Sequence, residues 1–231
     1  MKYSKKIIVV KKMDYGSMVG ESFEYAKEAV VGKWNQWIML IIATIILGIP
    51  LAGYSLKVLR GDKPAPEVSD WGTLFIDGIK LMIIMLIYMI PAMIVLFFVV
   101  GASALASMSS NPSTAMAAVG GILFGLLLFF VVALITAIFA IIGEVRFART
   151  GKMGEAFNFS EILGTIGKIG WGPYIIALVV LFVVQMIIAI IVSIIMMIPY
   201  LGFIIYICLI APIMLFQTRY ICQLYDSAGS A

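Results

Sequence analysis

The sequence predicts an all-α fold: a polytopic helical membrane bundle of about five transmembrane helices with interfacial amphipathic helices between them. Three observations predict it. Of 231 residues, 63% are hydrophobic and 12% charged, against about 45–50% and about 25% in soluble domains. A chain this short has too much surface for its volume to hide so much apolar matter from water. The charges are absent in blocks, with no Asp, Glu, Lys or Arg in Trp34–Leu56, Leu81–Gly143 or Ile169–Thr218, windows of 23, 63 and 50 residues. These windows are continuously apolar instead of alternating, which argues against β-barrel strands.

A spanning helix needs about 20 apolar residues, so the first window fits one span and the others two each. The turn formers Ser107-Met108-Ser109-Ser110-Asn111-Pro112-Ser113-Thr114 divide the second window, and Pro199-Tyr200-Leu201-Gly202 the third. The expected spans are 34–58, 80–105, 116–145, 173–197 and 201–222, within one membrane domain over 34–225. Residues 1–33 read as a basic tail and an amphipathic interfacial helix, and 226–231 as a short polar tail. Ile7-Ile8-Val9-Val10 is too short for a signal-peptide core, so the first span is expected to direct the chain to the membrane. Cys208 and Cys222 lie 14 residues apart, about 21 Å along one helix, beyond disulfide reach.

The segments between spans share a plan. Ser17–Lys33 sets Met18, Phe23, Tyr25, Ala26 and Val30 among Glu21, Glu24, Lys27 and Glu28, a helix on the membrane surface leading into Trp34 and Trp37. Tryptophan rings favour that interface; docking of a partner is the other reading. After Pro64 and Pro66, Asp70 is expected to cap a helix whose Trp71, Leu74 and Phe75 dip into the headgroups. Glu144–Lys168 repeats this with Asn158, Phe159, Ile162 and Leu163, before Trp171. A shift of 88 residues lays Asp70 on Asn158, Trp71 on Phe159 and Lys80 on Lys168, reading as a parallel duplication of a two-span unit. The alternative is that any interfacial linker needs a cap, an aromatic and a basic end. The interfacial anchors are thus Trp34, Trp37, Trp71, Phe75, Phe159 and Trp171.

Gly53-Tyr54, Arg60-Gly61 and Asp70-Trp71-Gly72-x-Leu74-Phe75-x-Asp77-Gly78 form a pattern. With Gly20-Glu21-Ser22-Phe23-x-Tyr25, Phe157-x-Phe159-x-Glu161-Ile162 and Gly170-Trp171, it resembles an archaeal family of polytopic membrane proteins catalogued as a domain of unknown function. The resemblance covers about 13–225 and is most specific in the tryptophan–glycine–aspartate stretch. It implies a fold and an archaeal origin, and no activity.

Sidedness follows from the cations, which favour the cytoplasm. Linkers 57–80 and 144–168 with Arg219 hold nine Lys and Arg, and the breaks at 107–114 and 199–202 hold none. The chain is therefore expected in the cell membrane with the basic linkers cytoplasmic. Five spans place the N-terminal tail, with its seven Lys and Arg, opposite those linkers. A break at Gly48-Ile49-Pro50 that makes 34–58 a re-entrant hairpin would return the tail to their side.

The chemistry offered is sparse. Without histidine the chain lacks the commonest general base and metal ligand. No phosphate-binding glycine loop follows a strand, and no carboxylates pair within a span. No enzyme, catalytic residue, metal or cofactor is expected. The span interiors offer only Thr44, Tyr88, Thr136, Gln185, Ser193 and Gln217, whereas ion-coupled carriers keep a charge there. Gln185 and Tyr88 are the intramembrane polar candidates, with an interhelical hydrogen bond the plainer role for Gln185. Prolines 50, 91, 199 and 212 either free carbonyls for a solute or simply mark kinks and span ends. Ala117, Gly121 and Gly125 recur every four residues, a face suited to close helix packing within the chain or with another subunit. Arg146, Arg149 and Lys152 are candidate contacts for anionic lipid headgroups, or ordinary positive-inside anchors. The expected function is a non-catalytic accessory, scaffold or lipid-associating subunit, with membrane lipids and other membrane subunits as partners. The alternative is a small-solute channel or uncoupled transporter. No basic face suits nucleic acid.

Overall fold

A computed structural model describes residues 13–108 and 111–229; the basic tail before Met13 and the last two residues lie outside them. The described residues form eight α-helices and no strand. They divide into two compact bodies, one of residues up to Leu81 with those from Ile142 onward, the other Met82–Ile141.

In the first body, α1 (Tyr15–Val30) starts where the Asp14 carboxylate accepts the Ser17 N–H at 3.1 Å. Met18, Ser22, Tyr25, Ala26, Ala29 and Val30 are buried, while Glu21, Glu24, Lys27 and Glu28 stay exposed on the other face. The helix is amphipathic as expected, but what covers its apolar face is α8 (Leu201–Asp226). Gln223 Nε2 donates to Ser22 Oγ at 2.8 Å, and Tyr15 reaches the Pro173 carbonyl at 3.4 Å. Side-chain partners on a neighbouring helix displace the headgroup contact that the pattern alone suggests.

The expected span over 34–58 is two helices, α2 (Trp34–Ile45) and α3 (Ile49–Leu59). Leu47 and Gly48 both take left-handed backbone, φ 55° and 67°, which ends a right-handed helix, and Pro50 restarts it. The chain folds back there: Gln36 Nε2 donates to the Tyr54 hydroxyl at 3.2 Å, whereas 18 residues of unbroken helix would separate them by about 27 Å. Each helix is about 17 Å long, short of the roughly 30 Å hydrocarbon core. The hairpin reading of 34–58 is therefore the one the structure has.

Among the described residues four helices are long and apolar enough to cross a membrane: α4 (Trp71–Ser107), α5 (Pro112–Thr150), α7 (Trp171–Met196) and α8. They correspond to the remaining four expected spans; α4 and α5 are extended at both ends, α7 at its start and α8 at its end. Between α5 and α7, a short 3-10 turn over Met153–Phe157 leads into α6 (Phe159–Ile169), whose Asn158 cap accepts the Glu161 N–H at 3.4 Å. Asp70 does not cap α4 in this way. At φ 56° it lies outside the extended region a side-chain cap requires, and its carboxylate accepts the Ser69 hydroxyl. The two linkers so superimposable in sequence thus differ in structure. Gly170, at φ 90°, separates α6 from α7, whereas α4 runs on from Trp71 without a break.

α3 and α4 touch backbone to backbone. A Cβ on Gly53 would lie 1.8 Å from the Leu74 carbonyl oxygen, and one on Gly78 would lie 1.9 Å from that of Ile49. Leu74 is accordingly 1% exposed, packed at this crossing where the spacing predicts a headgroup contact.

In the second body, α4 and α5 meet where a Gly125 Cβ would fall 2.1 Å from Val99 Cγ2. A groove of about 510 Å³ between them is lined by Ala117, Gly121, Gly125, Val99 and Phe98, among others. The small-residue face thus has a partner within the chain at Gly125, while Gly121 has open space beside it.

Candidate functional site

Arg60, Arg149, Arg219 and Asp226 gather at the ends of α3, α5 and α8. Arg60, just past α3, donates from Nε to the Ala148 carbonyl at 3.2 Å and from Nη2 to Asp77 at 3.0 Å. Arg149, in the last turn of α5, returns the contact, giving Nε to the Leu59 carbonyl at 2.7 Å. Each guanidinium so satisfies a carbonyl at the other helix's C-terminus, where backbone acceptors lack intrahelical partners and cations are favoured. Arg149 Nη2 also reaches Asp226 at 2.7 Å and Cys222 Sγ at 3.3 Å. Arg146 is bonded to Glu155 and lies 3.6 Å from Glu161. That hydrogen bond holds the Glu155 carboxyl below the ordinary range.

Arg219 is the buried charge of the cluster, 4% exposed. Its guanidinium stands 5.2 Å from the centre of the Tyr25 ring, with Nη1 3.9 Å from Cys222 Sγ, and no hydrogen-bond partner meets Nε. A cation over an aromatic face recovers part of the cost of leaving water. Tyr25 donates its hydroxyl to the Asp62 carbonyl at 3.1 Å, and burial, opposed by Arg219, pushes its phenol up to about 12. The cluster joins α1, α3, α5 and α8: Arg60, Arg146 and Arg149 are paired with carboxylates, while Arg219 meets the Tyr25 ring and the Cys222 thiol.

Beside it lies a groove of about 700 Å³ between α1, α7 and α8. Gly20, Phe23, Val184, Ile188, Ile213 and Phe216 are among its lining residues, and Lys27 is the one charged residue there. Lys27 is held at 2.9 Å by Glu24 on the exposed side of α1.

The sequence-predicted residues scatter across this arrangement. Arg146 and Arg149 are held by carboxylates, so of the three lipid candidates Lys152 alone is exposed without an ion pair among the described residues. Trp34, Phe75, Phe159 and Trp171 are exposed and Trp71 partly so. Trp37 stacks on Trp34 with ring centres 5.6 Å apart and donates Nε1–H to the Cys208 carbonyl at 3.0 Å. Tyr88 is buried. Gln185 bonds Gln217 across α7 and α8 at 3.2 Å. Cys208 and Cys222 are both free. Arg60, Arg219, Tyr25 and the pair Gly53–Gly78 were not among the candidates, although the Gly53-Tyr54, Arg60-Gly61 and Asp77-Gly78 repeats of small and charged residues carried the signal. Among the described residues no three His, Cys, Asp or Glu side chains gather as a metal site requires.

Residues 37–197 match the model of a protein family of unknown function, DUF4013. The chain belongs to that family. The match takes in α2 from Trp37 through α7, so the glycine crossing, the Arg60–Arg149 exchange and the Arg146–Glu155 pair of this DUF4013 chain lie within it. No curated protein and no solved structure matches the chain.

Proposed function

We propose that the chain is a non-catalytic integral membrane protein that works through lipid and helix contacts, as an accessory or scaffold subunit of a larger assembly. The groove between α1, α7 and α8 carries this reading. Its lining is apolar and open, and in a membrane the matter available to fill such a surface is lipid acyl chain. The charged cluster supports it from the other side, since Arg60 and Arg149 are consumed in joining helices and Arg146 is paired with Glu155. Of Arg146, Arg149 and Lys152, Lys152 is then the one left without an ion pair, free for a lipid phosphate. The location in this reading is the cell membrane, with the charged linkers facing the cytoplasm.

The test is mild-detergent isolation followed by native mass spectrometry. The wild-type chain is expected to retain phospholipid, and Gly20→Phe to retain less. Gly20 lines the groove, and a Cβ there would meet nothing within 4 Å, so the new ring occupies the groove without disturbing the core. Reproducible co-purification with a defined complex supports the accessory role. A purified chain that conducts a small solute in liposomes, with no retained lipid, overturns it in favour of a channel.

A further inference from the structure

Gln185 and Gln217 join α7 to α8 by a side-chain hydrogen bond. Gln185 is the fifteenth of the 26 residues of α7, about 21 Å from the start of a helix about 39 Å long. The pair therefore stands near the middle of a span, where water is not at hand and an unmade polar contact is costly. Yet it faces outward: Gln217 is exposed and Gln185 partly so. Gln185 Nε2 donates to Gln217 Oε1 at 3.2 Å, which leaves the Gln185 carbonyl oxygen as an acceptor and the Gln217 amide as a donor. No other described residue is bonded to either side chain.

The geometry points to a second copy of this chain as the occupant of that face. The free acceptor and the free donor are complementary to each other, so the same pair on a two-fold-related copy satisfies both. Gln217 of each chain donates to Gln185 of the other, closing a ring of four amides. An interface that uses the same patch on both subunits is the commonest arrangement of protein dimers. The surface around the pair suits close approach. Gln185, Ala189 and Ser193 recur at four-residue spacing on α7, all three at least partly exposed, and Ser193 has its hydroxyl satisfied by the Ile190 carbonyl at 2.7 Å. Small residues in such a row let a facing helix come near, and amide bonds across helices hold it. The groove between α1, α7 and α8 runs alongside this face, but neither glutamine is among its lining residues.

Single-molecule photobleaching of the full chain in liposomes, over a dilution series of lipid, reads the association directly. Two-step bleaching is expected at high protein density. Gln185→Leu with Gln217→Leu should weaken dimerisation about tenfold, the scale of one or two interhelical hydrogen bonds. A second probe does not depend on the glutamines. In a Cys208→Ala background, Ala189→Cys should cross-link two copies on oxidation. Ile176→Cys, exposed on the opposite side of α7, should not. A monomer at every density, dimers unaffected by the double leucine variant, or equal cross-linking at both positions would each overturn the proposal. So would dependence of the glutamine face on a different membrane protein.

Discussion

Gly53 and Gly78 are the residues on which the first body is most intolerant. An alanine in a helix is ordinarily better than glycine by about 0.5–1 kcal/mol. Here the added Cβ would sit 1.8–1.9 Å from a carbonyl oxygen of the facing helix, and backbone on both sides cannot yield as a flexible side chain does. Overpacking of this kind costs about 1–3 kcal/mol or more, so the steric term wins. Gly53→Ala and Gly78→Ala should each lower the thermal midpoint in detergent, while Gly72→Ala, with open space around it, should not; equal midpoints would remove the crossing from the account. Glu155 gives a second prediction at this scale. Its carboxyl titrates lower in the folded chain because Arg146 is bonded to it. The stability it contributes is therefore present above the unfolded value of about 4.3 and is lost as pH falls through the folded value. Melting curves from pH 6 downward should fall more steeply below about 4.3 in the wild type than in Glu155→Gln, and parallel curves would contradict the assignment.

At the scale of elements, the long helices were legible because hydropathy is additive along a chain: α4, α5, α7 and α8 all lie on the charge-free windows. Residues 34–58 were not, because a 23-residue apolar run reads the same whether it crosses or turns. What decides it is the left-handed backbone of Leu47 and Gly48, and only Gly48-Ile49-Pro50 hints at that in the sequence. The polar cluster was hidden for another reason. Arg60 meets Ala148 across 88 residues and Cys222 meets Leu59 across 163, separations that no local pattern records. The small-residue face was half legible: its four-residue spacing shows where a helix can approach, but not which position is in contact. Gly125→Ala drives a methyl into the branched end of Val99, whereas Gly121→Ala meets nothing within 4 Å. The first should destabilise by about 1–3 kcal/mol and the second should be neutral or mildly stabilising. Thermal melts of both variants check this, and reversed ranks would mean that the α4–α5 contact is misassigned.

Across the whole molecule, the hairpin at 34–58 changes the count of crossings and with it the charge balance. With α4, α5, α7 and α8 as the crossings, an even number separates the N-terminal segment from the 144–168 linker and that linker from the C-terminus. All 16 Lys and Arg and all 12 Asp and Glu then fall on one side, and the stretches 108–111 and 197–200 carry none. Five crossings would instead set the seven basic residues of 1–33 against the nine elsewhere, a conflict with the positive-inside bias that four crossings remove. The prediction concerns labelling by a membrane-impermeant maleimide in sealed vesicles, in a background without Cys208. Lys5→Cys and Lys63→Cys should react from the same side, and Ser113→Cys from the opposite one. Reaction of the first two from opposite sides would mean that 34–58 crosses after all, and the even count, with the single-sided charge it explains, would fall with it.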